Sequence, residues 1–199
     1  IELALTMAYD AKVNYNDVFY QVRMWDTIIY NYLKKRNIVI PPKNRSAKNE
    51  KYAGAYVKEP IPGKYDWVVS FDLNSLYPHL IMQYNISPET IEGMSENHPG
   101  VDGMLYKETV TDHLKDTQQT MTPNGALFTT SKHGFLPELL YSMYTERTVF
   151  KKRMLDAQQN FENTKDPKYK NQIASLHNKQ MALKIALNSA YGAVGNQYF

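Results

Sequence analysis

The sequence predicts an α+β fold in which a helical N-terminal segment leads into a small antiparallel sheet and then into an antiparallel hairpin of two long helices. Three observations predict it. Apolar residues recur with helical spacing before residue 37, strand and turn signals alternate over 52–92 ahead of an irregular polar stretch to 136, and two long helical stretches follow over 137–192. At 199 residues the chain can bury a core, and it contains no internal repeat.

The N-terminal segment carries one apolar stripe whose members are three or four residues apart: Val18, Val22, Trp25, Ile29 and Tyr32. This spacing predicts helix over residues 1–37, with Asn16 as an N-cap. A Pro-Pro pair at 41–42 ends the region, and a basic polar loop follows over 43–51. Because the chain begins at Ile1 and enters a helical pattern at once, we expect it to be part of a longer protein.

The sheet region contains one strongly β-rich run, residues 64–71, for which we predict a strand. Asp72 falls where this strand stops, and a new helix is predicted to start at residues 75–77. Farther along, Pro-Asn-Gly at 123–125 predicts the turn of a hairpin within residues 121–135.

The two long helices have clear end signals. Pro137 fits the first turn of a helix that runs to about Phe161, and Asp-Pro at 166–167 is a cap followed by a first-turn proline for a second helix. The second helix is predicted to end near Gly192, which could serve as its C-cap. Because the linker over 160–165 is short and polar, we expect the two helices to pack as an antiparallel hairpin.

Charge is distributed unevenly, although the net charge is only +3. Residues 145–184 contain nine Lys or Arg against four Asp or Glu, and the rest of the chain is therefore net negative. A basic arm on a near-neutral body suits a polyanionic partner, although many solvated helices share this composition.

The composition also excludes some classes of site and location. The absence of cysteine excludes disulfides and thiolate metal sites. The lack of a long apolar run or a signal-peptide pattern argues against membrane insertion and secretion.

Residues 72–77 offer chemistry suited to a nucleoside triphosphate. A carboxylate at the end of a strand, such as Asp72, can enter a cleft while the sheet holds it rigid. The amides of residues 75–77, at a helix start, can receive phosphate oxygens. The alternative for Asp72 is a turn or capping residue, which is the more common role of a single Asp after a strand.

The two long helices each carry cations on one face. Lys184, Asn188 and Tyr191 are spaced i, i+4 and i+7, and Arg147 and Lys151 are spaced i and i+4. Two facing helices could present the three cations to one triphosphate. The side-chain amide of Asn188 would then be a polar contact, and the Tyr191 ring a flat surface against a base or sugar. The alternatives are a solvated charged face for the cations and a core position for the tyrosine.

These stretches resemble the motifs of family B DNA polymerases. Residues 71–78 resemble the first carboxylate motif of the palm, Asp-x-x-Ser-Leu-Tyr-Pro, and residues 184–192 resemble the fingers motif, Lys-x-x-x-Asn-Ser-x-Tyr-Gly. Residues 52–55, Tyr-Ala-Gly-Ala, lie where the family has Tyr-x-Gly-Gly or Gly-Ala. The stretches 54–62 and 85–91 resemble the T-even-type bacteriophage branch in particular.

The resemblance implies a two-metal phosphoryl transfer in which Asp72 ligates both Mg²⁺ ions and the carbonyl of Leu73 completes the shell of one. It implies that Ser75 and Leu76 donate backbone amides to phosphates. It also implies that Tyr77 stacks under the sugar and excludes a 2′-hydroxyl, as a steric gate.

The resemblance further implies that Arg147, Lys151 and Lys184 clamp the triphosphate of the dNTP. Lys184 is also a candidate proton donor to the leaving pyrophosphate. The residues expected to line the pocket for the dNTP, the nascent pair and the templating base are Asn188, Tyr191 and Gly192, and those expected to touch the template backbone are Tyr52 and Gly54.

The domain order implied by the resemblance is a helical linker entering the palm (1–51), an N-terminal part of an antiparallel palm sheet (52–136), and the fingers helices with a return to the palm (137–199). Family members also need an Asp-Thr-Asp motif, a thumb and usually an exonuclease domain, none of which this sequence shows. We therefore expect the isolated chain to be inactive.

The resemblance also implies the partners of the protein. These are primer-template DNA, dNTP, the remaining polymerase domains and a sliding clamp. The expected location is the cytoplasm of an infected bacterial host, and not a membrane.

Two other interpretations remain open. A non-enzymatic DNA-binding module would need only the basic two-helix arm on a small sheet, and it gives no reason for the cluster over 72–77. A protein-primed family B polymerase would show insertions between the motifs, and the sequence has none there. His79 stands where the family often has Ser, and we expect little effect from that difference.

Overall fold

The computed structural model describes residues 1–40, 42, 57–98, 100–106, 113–196 and 199. Helices make up most of the described chain, with one small antiparallel sheet, which confirms the α+β class. In chain order the elements are α1 (Glu2–Ala11), a 3₁₀ helix (Tyr15–Phe19), α2 (Gln21–Lys34), α3 (Leu76–Gln83), β1 (Ile91–Met94), α4 (Gly100–Leu105), α5 (His113–Asp116), β2 (Gln119–Met121), β3 (Ala126–Thr129), α6 (Phe135–Thr164) and α7 (Lys168–Val194). No helix among these residues is long and apolar enough to cross a bilayer.

The N-terminal region is broken into three pieces rather than forming one helical stretch. Lys12 adopts a left-handed conformation (φ 57°) that ends α1, because a left-handed residue cannot continue a right-handed helix. Asn16 lies inside the 3₁₀ helix and Tyr20 stands at the N-cap of α2, so the prediction that Asn16 caps a long helix is wrong. None of the five residues of the apolar stripe is exposed, and Val18 and Trp25 are buried.

Trp25 joins the N-terminal helices to the long helical hairpin. Its side chain is fully buried, and its Nε1 donates to the carbonyl oxygen of Ala186 (3.2 Å) and to Ser189 Oγ (3.0 Å), both on α7. The surrounding core contains apolar residues from α1, α2, α3, α6 and α7, among them Met24, Ile81, Leu140 and Leu187. This core fixes the base of the hairpin against the N-terminal helices.

No strand forms over residues 64–71, and the prediction of a strand there is wrong. Trp67 has a positive φ of 59°, which a strand does not allow, and its side chain is 98% exposed. Within the described residues no other strand pairs with this segment, and a lone strand leaves its backbone groups unsatisfied. Asp72 therefore follows an irregular, exposed segment rather than the end of a strand.

The sheet has the order β1-β3-β2 with antiparallel neighbours, and β2 and β3 form the hairpin that the turn signal at 123–125 predicts. Gly125 closes the turn, with φ 87° and its amide donating to the Thr122 carbonyl (2.8 Å). A Cβ at this position would lie 2.7 Å from the Ser95 carbonyl oxygen, so a side chain would not fit. The sheet is built from residues 91–129 and not from the run at 64–71.

The two long helices form the predicted antiparallel hairpin. Lys165 turns the chain in a left-handed conformation, and Asp166 Oδ1 accepts from the amide of Lys168 (2.9 Å) at the start of α7. Pro137 lies in the first turn of α6, as predicted. Because α7 continues to Val194, Gly192 is not its C-cap.

Candidate functional site

The carboxylate motif and the fingers motif meet at a pair of stacked tyrosines. Tyr77, in the first turn of α3, lies against Tyr191, near the end of α7, with ring centroids 4.6 Å apart and planes inclined by 12°. Both rings are about two-fifths exposed. The stack is therefore open to solvent on one side, as a surface that receives a ligand must be.

The start of α3 is held in place from several directions. Ser75 adopts a left-handed conformation (φ 51°) immediately before the helix, and its carbonyl oxygen accepts from the His79 amide (3.1 Å). The His79 ring makes an edge contact with Tyr144 on α6 (4.7 Å between centroids), so α3 is tied to α6 as well as to α7. The first-turn amides of α3, including that of Leu76, have no acceptor within the helix itself, as at every helix start.

On α7 the predicted face is present and exposed. Lys184, Asn188 and Tyr191 are all exposed, whereas the residues that alternate with them are buried in the core: Leu183, Ala186, Leu187 and Ala190. The alternative in which Tyr191 is a core residue is therefore excluded. Lys184 lies about 10 Å along the helix axis from Tyr191, seven residues away.

The register of the hairpin places the cations of α6 at a level along the helix axis similar to that of Lys184. The ammonium group of Lys179 lies 5.3 Å from the Phe150 ring centroid, so these two positions are opposite each other. In an antiparallel pair, Lys184 is then opposite residue 145, about 3 Å along the axis from Arg147 and about 9 Å from Lys151. The three cations therefore lie at similar levels along the axis of the hairpin, within about 9 Å of one another in that direction, and we call them the cation group.

The charge of the cation group is not neutralised by carboxylates of the described residues. The ion pairs there join Arg23 to Asp17, Arg36 to Glu138, Lys165 to Glu162 and Lys168 to Asp166, none of which involves the group. Arg147 is half-buried, and its Nε has no hydrogen-bond partner among these residues. A buried guanidinium donor without a partner is costly unless an anion binds it.

Arg36, two residues after α2, pairs with Glu138 in the first turn of α6. Arg36 donates to Glu138 Oε1 (2.5 Å), and this hydrogen bond holds the pKa of the carboxyl below its usual range. Burial, together with the nearby carboxylate of Glu138, raises the pKa of Tyr32 to about 12. At physiological pH Glu138 is therefore ionised and Tyr32 neutral, so the Arg36–Glu138 ion pair is fully formed there.

Asp72 and Leu73 lie in the exposed segment just before α3. No cluster of three or more carboxylate, histidine or cysteine side chains occurs in the part of the chain that the structure describes. The carboxylate of Asp72 and the main-chain carbonyl of Leu73 are both hard oxygen donors of the kind that suit Mg²⁺.

The comparison with known families is decisive. The family model for DNA polymerase family B matches residues 20–198. The chain belongs to DNA polymerase family B. Its relatives include the DNA-directed DNA polymerase of Escherichia phage RB69, which is 39% identical over 191 residues (96% of this chain, 20% of the relative). The DNA-directed DNA polymerase of Enterobacteria phage T4 is 30% identical over 241 residues (100% of this chain, 26% of the relative). The predicted family and the T-even phage branch are therefore confirmed.

A solved structure supports the fold of this family B chain. The family B DNA polymerase from the hyperthermophilic archaeon Pyrobaculum calidifontis matches 98% of the chain with a TM-score of 0.66, at 24% sequence identity. The match covers 23% of that polymerase. The chain thus spans about a fifth to a quarter of the length of the relatives it matches.

The remaining predicted site residues of the family B chain are Tyr52, Gly54 and Gly192. The first two lie outside the described residues. At Gly192 a Cβ would meet only Gln21 Oε1, at an ordinary contact distance of 3.5 Å. Packing within the described chain therefore does not require glycine there.

Sequence reasoning missed two groups of residues that build the site. Ser189, inside the fingers motif, is buried and accepts the Trp25 hydrogen bond, so it positions α7. The loop over 85–90 supplies side chains that cap the start of α6. Polar residues at alternating positions, Asn85, Ser87 and Glu89, were the available signal, but nothing local shows which amides they bind.

Proposed function

We propose that this chain is the part of a larger replicative DNA polymerase that carries one catalytic carboxylate and the grip for the incoming nucleotide. The reaction is template-directed nucleotidyl transfer from a dNTP to a primer 3′-hydroxyl. The stacking of Tyr77 on Tyr191 carries the proposal, because it brings the carboxylate motif and the fingers motif to one point. A module that only binds DNA has no need for this convergence.

The cation group binds the triphosphate. As the primer oxygen bonds to the α-phosphorus, the bond to the β-phosphate breaks and negative charge grows on the leaving pyrophosphate. Lys184 stabilises that charge and is placed to supply a proton to it, while Arg147 grips phosphate oxygens and Lys151 adds a further positive charge. The unpartnered Nε of Arg147 and the exposed Lys184 support this assignment. Asn188, one turn from Lys184, adds a polar contact to the dNTP.

Asp72 and the Leu73 carbonyl are the groups that would hold Mg²⁺. The Asp72 side chain is exposed and makes no ion pair with the described residues, so its oxygens are available to ligate. When bound, Mg²⁺ lowers the pKa of the attacking hydroxyl and offsets the charge of the triphosphate. One carboxylate cannot hold two ions, and we propose that the second comes from another part of the polymerase.

The remaining residues select the sugar and hold the nascent pair. Tyr77 lies under the sugar and excludes a 2′-hydroxyl, and the amides of Ser75 and Leu76 donate to phosphate oxygens. Tyr191 and Gly192 line the pocket of the nascent pair, where the absence of a side chain at Gly192 leaves room for a base. The template backbone contacts are assigned to Tyr52 and Gly54.

In domain terms, residues 1–51 are the linker entering the palm, 52–136 the first part of the palm, and 137–199 the fingers with a return to the palm. The partners are primer-template DNA, dNTP, a thumb, the rest of the palm, an exonuclease domain and a sliding clamp. The named relatives from bacteriophages RB69 and T4 favour action in the cytoplasm of a bacterial host.

The isolated 199-residue chain is expected to show no primer extension with Mg²⁺ and all four dNTPs, because it holds one carboxylate where the reaction needs two. Extension of a labelled primer is measured on gels, after circular dichroism has shown that the purified chain is helical. Mg²⁺-dependent incorporation by the purified chain would overturn the assignment of the second carboxylate to another segment.

Tyr77→Ala in the full-length polymerase is expected to raise ribonucleotide incorporation relative to deoxyribonucleotide incorporation on the order of 10- to 100-fold, because the ring that blocks the 2′-hydroxyl is gone. The ratio of kcat/KM for the two nucleotides measures this. Tyr141→Ala is the matched control, since Tyr141 is an exposed tyrosine on α6 that is not part of the stack. An unchanged ratio in Tyr77→Ala removes the residue from sugar selection.

A further inference from the structure

The first turn of α6 is capped by side chains of the loop over residues 85–90, which we call the capping loop. The consecutive amides of residues 134–136 donate in turn to Asn85 Oδ1 (2.9 Å), Glu89 Oε1 (2.5 Å) and Ser87 Oγ (3.4 Å). Helix-start amides have no acceptor within the helix, and one side chain from an adjacent residue is the usual partner. Here three partners arrive from a segment almost fifty residues away in sequence.

The capping loop is itself rigidly held. Asn85 Nδ2 donates to the carbonyl oxygens of Thr129 (2.6 Å) and Lys132 (2.8 Å), which fixes the orientation of the amide. Thr90 Oγ1 donates to the carbonyl oxygens of Asn85 (2.6 Å) and Ser87 (2.9 Å), and Asn85, Ser87 and Thr90 are all buried. Buried, fully paired polar groups of this kind specify one geometry.

The capping loop and the helix start are in direct contact. A Cβ at Gly134 would lie 2.5 Å from Ser87 Cβ, so only glycine allows the approach. In the same region Ser87 Oγ donates to Glu89 Oε2 (2.6 Å), which orients the carboxylate towards the amide of Phe135. The negative charge of Glu89 is also stabilised by the positive end of the α6 helix dipole.

The position of the capping loop connects the two halves of the proposed site. It follows α3, which carries Tyr77 in its first turn, and it holds the start of α6, which carries Arg147 and Lys151 farther along. Arg147 is twelve residues, or about 18 Å, from the capped turn, so a tilt of a few degrees at the base moves the guanidinium by about 1 Å. A displacement of that size is sufficient to weaken a positioned contact strongly.

We propose that Asn85, Ser87 and Glu89 are positioning residues for nucleotide binding: they set the direction of α6 so that its cations reach the triphosphate held over α3. The inference rests on the proposed function, because the cations that it positions are those proposed to bind the dNTP. The capping residues do not touch the nucleotide. Their removal therefore acts through α6, on dNTP affinity, and leaves primer-template binding unchanged.

The test uses the full-length polymerase with Glu89→Ala, Glu89→Gln and Asn85→Ala. Single-turnover incorporation gives the dNTP Kd and the maximal rate, and fluorescence anisotropy gives primer-template affinity. Glu89→Ala and Asn85→Ala are expected to raise the dNTP Kd about 10-fold or more. Glu89→Gln, which keeps an acceptor for the Phe135 amide, is expected to stay within about threefold of the parent, and primer-template affinity is expected to stay constant in all three.

Ala157→Gly is the matched control for stability, since Ala157 is buried on the same helix but far from the capped turn. It is expected to lower Tm by at least as much as Glu89→Ala, because glycine weakens a helix interior, while leaving the dNTP Kd within about twofold. An equal rise of Kd in Ala157→Gly, or an unchanged Kd in both Glu89→Ala and Asn85→Ala, overturns the proposal.

Hydrogen exchange separates this proposal from the proposed function. Faster exchange of the amides of residues 134–136 in Glu89→Ala, compared with Glu89→Gln, is expected whether or not the enzyme uses the cation group. If Lys184→Ala leaves dNTP binding unchanged, the proposed nucleotide grip fails. If exchange at 134–136 is the same in both Glu89 variants, the capping account fails even where the grip is correct.

Discussion

Asp72→Asn in the full-length polymerase is expected to reduce the rate of nucleotide incorporation by about 10³-fold or more, with little change in folding or in primer-template affinity. A neutral amide is a poor ligand for Mg²⁺, and the loss of one carboxylate removes several kcal/mol of transition-state stabilisation. Asp72 is exposed and makes no ion pair among the described residues, so nothing structural there depends on its charge.

The matched control is Asp66→Asn. Asp66 is another exposed aspartate of the same irregular segment, six residues earlier in the chain. It is expected to leave the single-turnover rate within about twofold, as surface substitutions away from special features do. Equal rates for Asp72→Asn and Asp66→Asn contradict the assignment of Asp72 as a metal ligand, and a large equal loss in both points to a structural role of the whole segment.

Lys184→Ala is expected to cut the maximal incorporation rate by about 10²- to 10³-fold and to weaken dNTP binding, because the leaving pyrophosphate loses a cation aimed at its growing charge. Arg147→Ala is expected to act mainly on the dNTP Kd, since a guanidinium grips phosphate oxygens in two places. Pre-steady-state incorporation of one nucleotide reports the rate and the affinity separately.

Lys170→Ala is the control for this pair. Lys170 is an exposed lysine near the tip of the hairpin, 5.5 Å from the Phe161 ring centroid, and it is remote from the cation group. Its loss is expected to change stability by no more than about 0.5 kcal/mol and incorporation hardly at all. If Lys184→Ala and Lys170→Ala behave alike, the long helices are a solvated charged surface and the nucleotide grip is wrong.

Local signals explain why the helical hairpin could be predicted. Asp166 with a following proline marks a helix start, Pro137 marks another, and each helix has its own apolar face. The tight turn at Gly125 could also be predicted from the sequence, because the left-handed conformation there favours glycine. Structure that depends on neighbouring residues in sequence is accessible from the sequence alone.

The two wrong structural predictions, the strand over 64–71 and the cap at Asn16, depend on residues outside the local sequence. Residues 64–71 have strand composition, but a strand exists only where another strand receives its backbone hydrogen bonds, and none of the described residues does so. Asn16 has the side chain of a good cap, yet the left-handed Lys12 and the 3₁₀ helix place the start of α2 farther along. Composition reveals neither the lack of a strand partner for residues 64–71 nor the displaced start of α2.

For the site, helical spacing predicted the exposed face of α7 but not its contact with α3. The stacking of Tyr77 on Tyr191 depends on how α3 packs at the base of the hairpin, where Trp25 and Ser189 fix α7. The capping of α6 by Glu89 is likewise a contact between distant segments. The motif resemblance named the site residues, and the fold supplied the reason why two of them meet.

The most direct test of the nucleotide grip is the structure of the full-length polymerase bound to primer-template DNA, Mg²⁺ and a non-hydrolysable dNTP. We expect Lys184 Nζ and the Arg147 guanidinium to lie about 2.7–3.0 Å from triphosphate oxygens, with an Asp72 carboxylate oxygen about 2.1 Å from Mg²⁺. A triphosphate bound away from Lys184 and Arg147, or a Mg²⁺ ion without Asp72 as a ligand, would contradict the account.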